Sequence, residues 1–301
     1  MNLDNTMFTL FWKCPLAYFE RYESEALVGL GKSELVSIEG AHGGRSEPSQ
    51  EGASEAHGVY SGAQRGIELD APAPGRDFGK RFHELCENHC RATLQLPIRP
   101  FPGLADADLE AECQSVFAQY AAHYIGDPLQ ILETERTHIV QIPKTPHGLI
   151  VKLDRVVRFS DGTIGPFDTK TENAPGNNFR ENWAGRTQAS FYLWACTQLF
   201  PKERVSRLVV DVVTRGNSKK APSFSRLDDI SRPPEALEDA IRSFVWVCDR
   251  IEECRASGFW PANMNVCKDG WRRCDYYFLH VLGRTEANLK LYRPAEDYLG
   301  I

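Results

Sequence analysis

The sequence predicts an α/β fold, a mixed sheet of about four or five strands with helices on both faces, layered around one core. Three observations point there. Apolar residues recur at helical spacing on either side of a central stretch whose period shortens toward two. Glycine, proline and Asp-Gly steps separate these segments. The composition, 42% hydrophobic and 25% charged over 301 residues, is that of a water-soluble globular chain with a full core.

Taken in order, Phe8 to Tyr22 mixes aromatic residues and leucines around a Cys14-Pro15 step, where Pro15 opens a short helix carrying Phe19 and Tyr22. From Ser37 to Asp77 the apolar content collapses and eight of the 23 glycines fall between Gly40 and Gly75, so the stretch reads as a long flexible insertion or lid. Phe78, Phe82, Leu85, Cys86 and His89 mark one amphipathic helix, and Leu109, Cys113, Val116, Phe117 and Tyr120 a second, after the Pro97 to Pro102 break. A three-strand meander follows: Ile139 to Ile142, Leu149 to Val157 and Ile164 to Lys170, with turns at Pro146-His147-Gly148 and Ser160-Asp161-Gly162. Asn182 to Leu199 returns to helix, Val205 to Val213 is a valine-rich buried strand, and Pro234 opens a long helix marked by Leu237, Ile241, Phe244, Cys248 and Ile251. The implied organisation is a helical element over 1–36 carrying Cys14, the insertion over 37–77, a core over 78–258, and a Cys- and His-bearing tail over 259–301 that packs on the N-terminal element.

Charge and cysteine usage narrow the class. Lys and Arg total 35 against 41 Asp and Glu, and a net charge of -6 argues against coating nucleic acid by bulk electrostatics, while leaving room for a local basic groove or for metal ions that neutralise phosphate. Nine cysteines, an odd number in a chain of this size, fit a reduced compartment better than a disulfide scaffold. No run approaches the ~18 apolar residues of a membrane span, and Met1-Asn2-Leu3-Asp4-Asn5 lacks the order of a secretory signal, so the expected location is the cytoplasm.

The most informative residues are Asp154 and, fourteen positions later, Asp168-Thr169-Lys170. A hairpin turning at Asp161-Gly162 brings the two carboxylates side by side, where they repel unless a cation lies between them. Hard oxygen donors suit Mg2+ or Mn2+, and Lys170, two residues beyond Asp168, points to the same face. Hydrolysis of a phosphodiester needs that set: a metal to lower the pKa of water, and a cation to orient the nucleophile or stabilise the developing charge. The plainer reading of Asp168 and Lys170 is a surface ion pair. His83 in Gly79-Lys80-Arg81-Phe82-His83, and Gln188 with Tyr192 one turn apart on a helix, supply the company that favours chemistry.

In this order, Gly79-x-x-x-His83, Asp154, Asp168-x-Lys170 and Gln188-x-x-x-Tyr192, the sequence resembles the RecB-type branch of the PD-(D/E)XK nuclease superfamily, including CRISPR-associated and phage-encoded single-domain exonucleases, from about Thr9 to His280. The resemblance implies a core like that of restriction endonucleases. It implies that His83, Asp154, Asp168 and the Thr169 carbonyl bind Mg2+ or Mn2+, that Lys170 serves the attacking water, and that Gln188 and Tyr192 contact DNA. In many members an N-terminal Cys joins three C-terminal Cys around a [4Fe-4S] cluster that clamps the chain ends. Here Cys14-Pro15, Cys267 and Cys274 match, and His280 stands where the last Cys would be, so the site is an iron-sulfur cluster, a Cys3His zinc site or no metal site, with Cys254 an alternative fourth thiolate.

Other residues have plainer readings beside the functional ones. Cys86, Cys90, Cys113, Cys196 and Cys248 fit core packing, and Glu87 fits a solvent-facing position. Glu133 and Glu135 precede the first meander strand as charged strand-end residues, one of them within reach of the metal through a water. Arg186, with Arg215, Lys219 and Lys220 on a basic loop, are ordinary solvated charges singly and phosphate contacts as a group. Tyr18, Tyr22, Trp183 and Trp271 are either core aromatics or base-stacking platforms. The leading expectation is a metal-dependent deoxyribonuclease, an exonuclease on single strands or duplex ends in a bacterial or phage-infected cell, with a recombination, replication or defence protein as partner. The alternatives are a catalytically silent DNA- or partner-binding subunit of the same fold, and a metal- or redox-sensing module centred on the Cys/His site.

Overall fold

The computed structural model describes residues 1–23, 67–69, 74–172, 178–216, 219–269 and 272–294. The expected insertion over 37–77 therefore falls largely outside the described residues, as does Trp271. In chain order the first elements are β1 (Asn2–Leu3), α1 (Asn5–Lys13), α2 (Pro15–Tyr22), β2 (Ile67–Leu69), α3 (Pro74–Thr93) and α4 (Ala107–His123). Next come β3 (Gln130–Gln141), β4 (Gly148–Arg158), β5 (Ile164–Glu172), α5 (Phe179–Ala184), α6 (Thr187–Leu199), β6 (Leu208–Thr214), β7 (Ser223–Ile230) and α7 (Pro234–Ser257). The last are β8 (Lys268–Asp269), β9 (Arg272–Arg273), α8 (Tyr277–Val281), α9 (Glu286–Leu289) and β10 (Tyr292–Pro294).

The chain divides into two units, one of 1–12 with 71–259 and one of 13–70 with 260–301. The first holds a six-stranded mixed sheet flanked by helices, ordered β1-β4-β5-β6-β7 with β3 along the other side of β4. β4 runs antiparallel to β3 and β5, β5 and β6 are parallel, and β7 closes the edge antiparallel to β6. The parallel β5–β6 pair needs a crossover, which α5 and α6 supply.

Helices α3 and α4 pack through Phe78, Phe82, Cys86, Cys113, Val116 and Tyr120 onto Val213 of the sheet. Arg81 locks the two helices with bonds to both Glu110 oxygens at 2.7 to 3.0 Å, and these bonds hold the Glu110 carboxyl down at about 2. Gly79 sits where α3 meets β5: an added Cβ would lie 3.0 Å from Thr171 Oγ1, so the absence of a side chain permits the approach that delivers His83 one turn later. Elsewhere in this unit, Phe8, Phe191 and Phe244 join α1, α6 and α7 by edge-on and stacked ring contacts at 5.2 to 6.1 Å.

Several boundaries differ from the sequence expectation. The start of α2 is not one of them: Pro15 opens it as expected, behind the extended backbone of Cys14. The helix expected over 182–199 is two helices with Gly185 between them. β3 begins nine residues before Ile139, so Glu133 and Glu135 lie inside a strand rather than ahead of it. β7 was not expected: its polar run, Ser223, Ser225, Arg226, Asp228 and Asp229, carries little apolar signal because an edge strand has one neighbour to pack on.

Gly165 on β5 permits another close approach. A Cβ there would meet the Arg207 carbonyl oxygen at 1.9 Å, a backbone atom that has no rotamer to change. Gly165→Ala is therefore expected to cost about 1–3 kcal/mol of stability, read as a lower urea midpoint at unchanged m. A midpoint equal to that of the wild type would refute the crowding.

In the second unit, α2 packs with residues after Trp260: Leu16 N–H donates to the Pro261 carbonyl at 3.2 Å, Tyr18 stacks on Trp260 at 5.8 Å, and β2 pairs antiparallel with β10. Glu20, 1% exposed, receives Arg284 and lies 3.5 Å from His280 Nε2. Among the described residues no helix is long and apolar enough to cross a membrane.

Candidate active site

The site forms where β4 and β5 separate. Their ladder runs from the Arg158/Ile164 pair to Arg155/Phe167 and stops, so the next positions in register, Asp154 and Asp168, face each other at the opening. Freed from that ladder, the Thr169 N–H donates to Asp154 Oδ2 at 2.8 Å. This amide holds the carboxylate in one orientation, and the Arg155 guanidinium supports Thr169 from behind with a 2.5 Å bond to its Oγ1.

His83 of α3 reaches the same carboxylate, with Nδ1 3.3 Å from Asp154 Oδ2 and 3.7 Å from Glu135 Oε1. The pairs Thr134/Arg155 and Arg136/Leu153 place Glu135 across β3–β4 from Asp154. Glu135 has a left-handed backbone, φ 46, which is uncommon for a residue other than glycine and clusters at functional sites. This twist breaks the in–out alternation, so Thr134 and Glu135 are both buried and the carboxylate joins the site. The ligand atoms of His83, Glu135 and Asp154 all lie within 4.8 Å of one another, an arrangement able to hold a metal ion.

Asp168 and Lys170 project from the same face of β5, and the ammonium lies 2.8 Å from Asp168 Oδ2 and 3.1 Å from Oδ1. Asp168 is 1% exposed, and despite that proximity its Oδ2 accepts no hydrogen bond of good geometry. Burial pushes the Asp168 carboxyl above the ordinary carboxylate range, with Lys170 pulling against it and Asp154 adding to it. For Lys170 desolvation works against the ammonium, but Asp168 and Asp154 hold its pKa above the usual lysine value. His83 behaves alike: desolvation opposes the imidazolium, and Asp154 with Glu135 raises its pKa. A buried, under-bonded carboxylate oxygen beside a His/Glu/Asp group is a donor set that fits a hard divalent cation.

Gln188 Nε2 donates to the Tyr192 hydroxyl at 2.9 Å, and that hydroxyl donates to the Lys152 carbonyl at 3.1 Å, which fixes this wall to β4. Burial, then Asp168 and Asp154, pushes the Tyr192 phenol well up, so it stays a neutral hydrogen-bonding group. Arg186 lies over the Trp183 ring at 4.6 Å, and Lys170 sits 5.6 Å from the same ring.

Other expected residues go elsewhere. Arg215 makes a two-pronged pair with Glu112 of α4 at 2.7 and 3.1 Å and covers the Phe78 ring, so its guanidinium is committed to packing. Lys219 and Lys220 are exposed. Trp183 and Tyr18 are fully buried and serve as core aromatics rather than exposed stacking platforms. Glu87 does not face solvent: it is 4% exposed and pairs with Arg91 at 3.4 Å and Arg99 at 3.1 Å. In the second unit Cys14 and Cys267 are buried, and burial first, then the neighbouring Cys267 and Cys14, raises the Cys274 thiol. His280 Nε2 lies 3.5 Å from Glu20 Oε1, and its ring stacks on Tyr276 at 6.0 Å.

Sequence reasoning kept Glu135 only as one of two charged residues within reach of the metal through a water, and missed Lys152. Glu135 gave only its charge as a signal, and Lys152, whose Nζ is 2.9 Å from Glu135 Oε2, gave its position two residues before Asp154 on the same strand face.

No curated protein matches the chain by sequence. Among solved structures, a candidate exonuclease from Eubacterium rectale is similar at 11% identity and a TM-score of 0.42, over 66% of this chain and 74% of that one. The protein SSO0001 is similar at 12% identity and a TM-score of 0.28, over 68% and 86%. LHK-Exo, solved with dAMP, is similar at 12% identity and a TM-score of 0.25, over 62% and 95%. These likenesses are distant, and the assignment comes from a family profile that matches residues 59–278, most of the chain and the span that holds the site just described. By that match the chain belongs to the PD-(D/E)XK nuclease superfamily.

Proposed function

We propose that the protein is a divalent-metal-dependent deoxyribonuclease of the RecB-like type, acting as an exonuclease on single-stranded DNA or duplex ends. The observation that carries this is the convergence of His83, Glu135 and Asp154 beside a buried Asp168 oxygen and the Lys170 ammonium. His83, Glu135, Asp154 and Asp168 would hold Mg2+ or Mn2+, with the imidazole favouring Mn2+, and the Thr169 carbonyl is a further donor by resemblance. When bound, such an ion supplies a lowered water pKa and polarisation of the phosphoryl oxygen.

The chain's own residues divide the remaining work. Lys170 orients the attacking water and stabilises charge on the phosphorus centre, and Asp168 holds that ammonium in place. The Thr169 N–H keeps the Asp154 carboxylate aimed at the opening. Gln188 and Tyr192 border the site and contact DNA in this reading, with Arg186, which shares the Trp183 ring with Lys170, assigned to phosphate; Lys219 and Lys220 extend that role, whereas Arg215 is held by Glu112.

The thiols of Cys14, Cys267 and Cys274, with His280, are proposed to take a metal, an iron-sulfur cluster ahead of zinc, and nuclease chemistry assigns them no step. A cytoplasmic setting and a recombination, replication or defence partner complete the proposal.

The test is cleavage of end-labelled single- and double-stranded DNA with Mn2+, Mg2+ or EDTA, beside Asp154→Ala. Metal-dependent loss of label that disappears in the variant is the expected result. Intact DNA binding with no cleavage under any metal would replace this reading with a DNA-holding subunit.

A further inference from the structure

Lys152 occupies a position that the proposed chemistry does not use. Its Nζ lies 2.9 Å from Glu135 Oε2, while the other Glu135 oxygen faces His83 at 3.7 Å. The Lys152 side chain is 46% exposed and that of Glu135 only 6%, so the pair is anchored at its acidic end and open at its basic end. Burial disfavours ionised Glu135, and His83 and Lys152 together keep its carboxyl below the usual range.

A divalent ion among His83, Glu135 and Asp154 would place two positive charges beside that ammonium and take over the neutralisation of Glu135. The lysine stem is flexible and its head strongly hydrated, so displacement toward solvent meets little resistance. Its root stays put, because the Lys152 carbonyl accepts the Tyr192 hydroxyl at 3.1 Å and Lys152 shares a strand face with Asp154. The released ammonium would therefore stand at the mouth of the site, where a backbone phosphate of the substrate passes.

We propose that Lys152 is the counter-ion a divalent metal displaces from Glu135, and that the freed ammonium then binds a backbone phosphate of the DNA strand, so strand binding follows metal loading. This rests on the nuclease reading above. It predicts effects of opposite sign, which loss of structure does not produce.

The experiment uses the full chain, Lys152→Met and Lys152→Arg, with Mn2+ affinity read by electron paramagnetic resonance without DNA and oligodeoxynucleotide affinity read by anisotropy in Ca2+ over a salt series. Lys152→Met is expected to bind Mn2+ about two- to fivefold more tightly. The same variant is expected to bind DNA more weakly, with the salt slope reduced by about 0.7. Lys152→Arg should keep the wild-type slope. Unchanged or weaker Mn2+ binding by Lys152→Met, or an unchanged slope, overturns the proposal while leaving wild-type cleavage, and with it the nuclease reading, intact. If wild-type protein binds neither Mn2+ nor DNA, both readings fall together.

Discussion

Lys170→Met is expected to lower kcat for phosphodiester cleavage by about 10²–10⁴-fold, the range removed with a proton-transfer group or a charge-stabilising donor. The ammonium lies 2.8 Å from Asp168 and its side chain is 28% exposed, so it is both held and able to reach solvent or substrate. The variant keeps His83, Glu135 and Asp154, and Mn2+ binding should survive in it. Buried Asp168 then lacks its counter-charge, and burial pushes its carboxyl further up until a metal ion replaces the lysine. Lys170→Arg should recover little activity, since a planar guanidinium does not match the position of a compact ammonium. Wild-type kcat in Lys170→Met, measured under saturating Mn2+, would remove Lys170 from the mechanism.

The second large effect belongs to stability. Asp211→Ala is expected to cost about 3–5 kcal/mol, measured by urea unfolding, because it takes from Arg226 one of its two counter-charges and from the Tyr120 hydroxyl its buried acceptor. Asp211 is fully buried and accepts from Tyr120 at 2.7 Å and from Arg226 at 2.6 and 3.1 Å. Arg226 also reaches Asp127 at 2.6 Å, and Tyr120 in turn receives Arg155 at 3.1 Å. Replacing both charges, as in Asp211→Leu with Arg226→Met, should cost less than the single change, since the buried pair goes as a unit and only the more exposed Asp127 loses a partner. A loss below about 1 kcal/mol in Asp211→Ala would show that the network adds little to stability. The same chain of bonds ends at Thr169, whose amide holds Asp154, so the variant should also bind Mn2+ less tightly.

These two experiments probe the two faces of the sheet at the β5–β6 pair. Asp168 and Lys170 point into the opening between β4 and β5, while Thr169 points back to Arg155 and the buried charges. The chemistry on one face is thus held by an ionic network on the other, and the sequence announces only the first. Within the run Leu208 to Val213, Asp211 is the one polar residue among valines, a buried acid that needs partners.

Much of the architecture was legible because it is local. Helical spacing over Phe78 to His89 and Leu109 to Tyr120, the proline after Cys14, and the valine run of β6 each report a periodicity or a backbone restriction that neighbouring residues impose. The pairing of Asp154 with Asp168 was legible for the same reason, since a short turn fixes hairpin register. What only the tertiary structure decided are meetings between distant residues: Glu135 turned inward by its left-handed backbone, Lys152 set on it, Arg215 taken by Glu112, and His280 beside Glu20. Electrostatic partners are chosen by which surfaces the packed helices and strands bring within a few ångströms, and spacing along a chain carries no record of that choice.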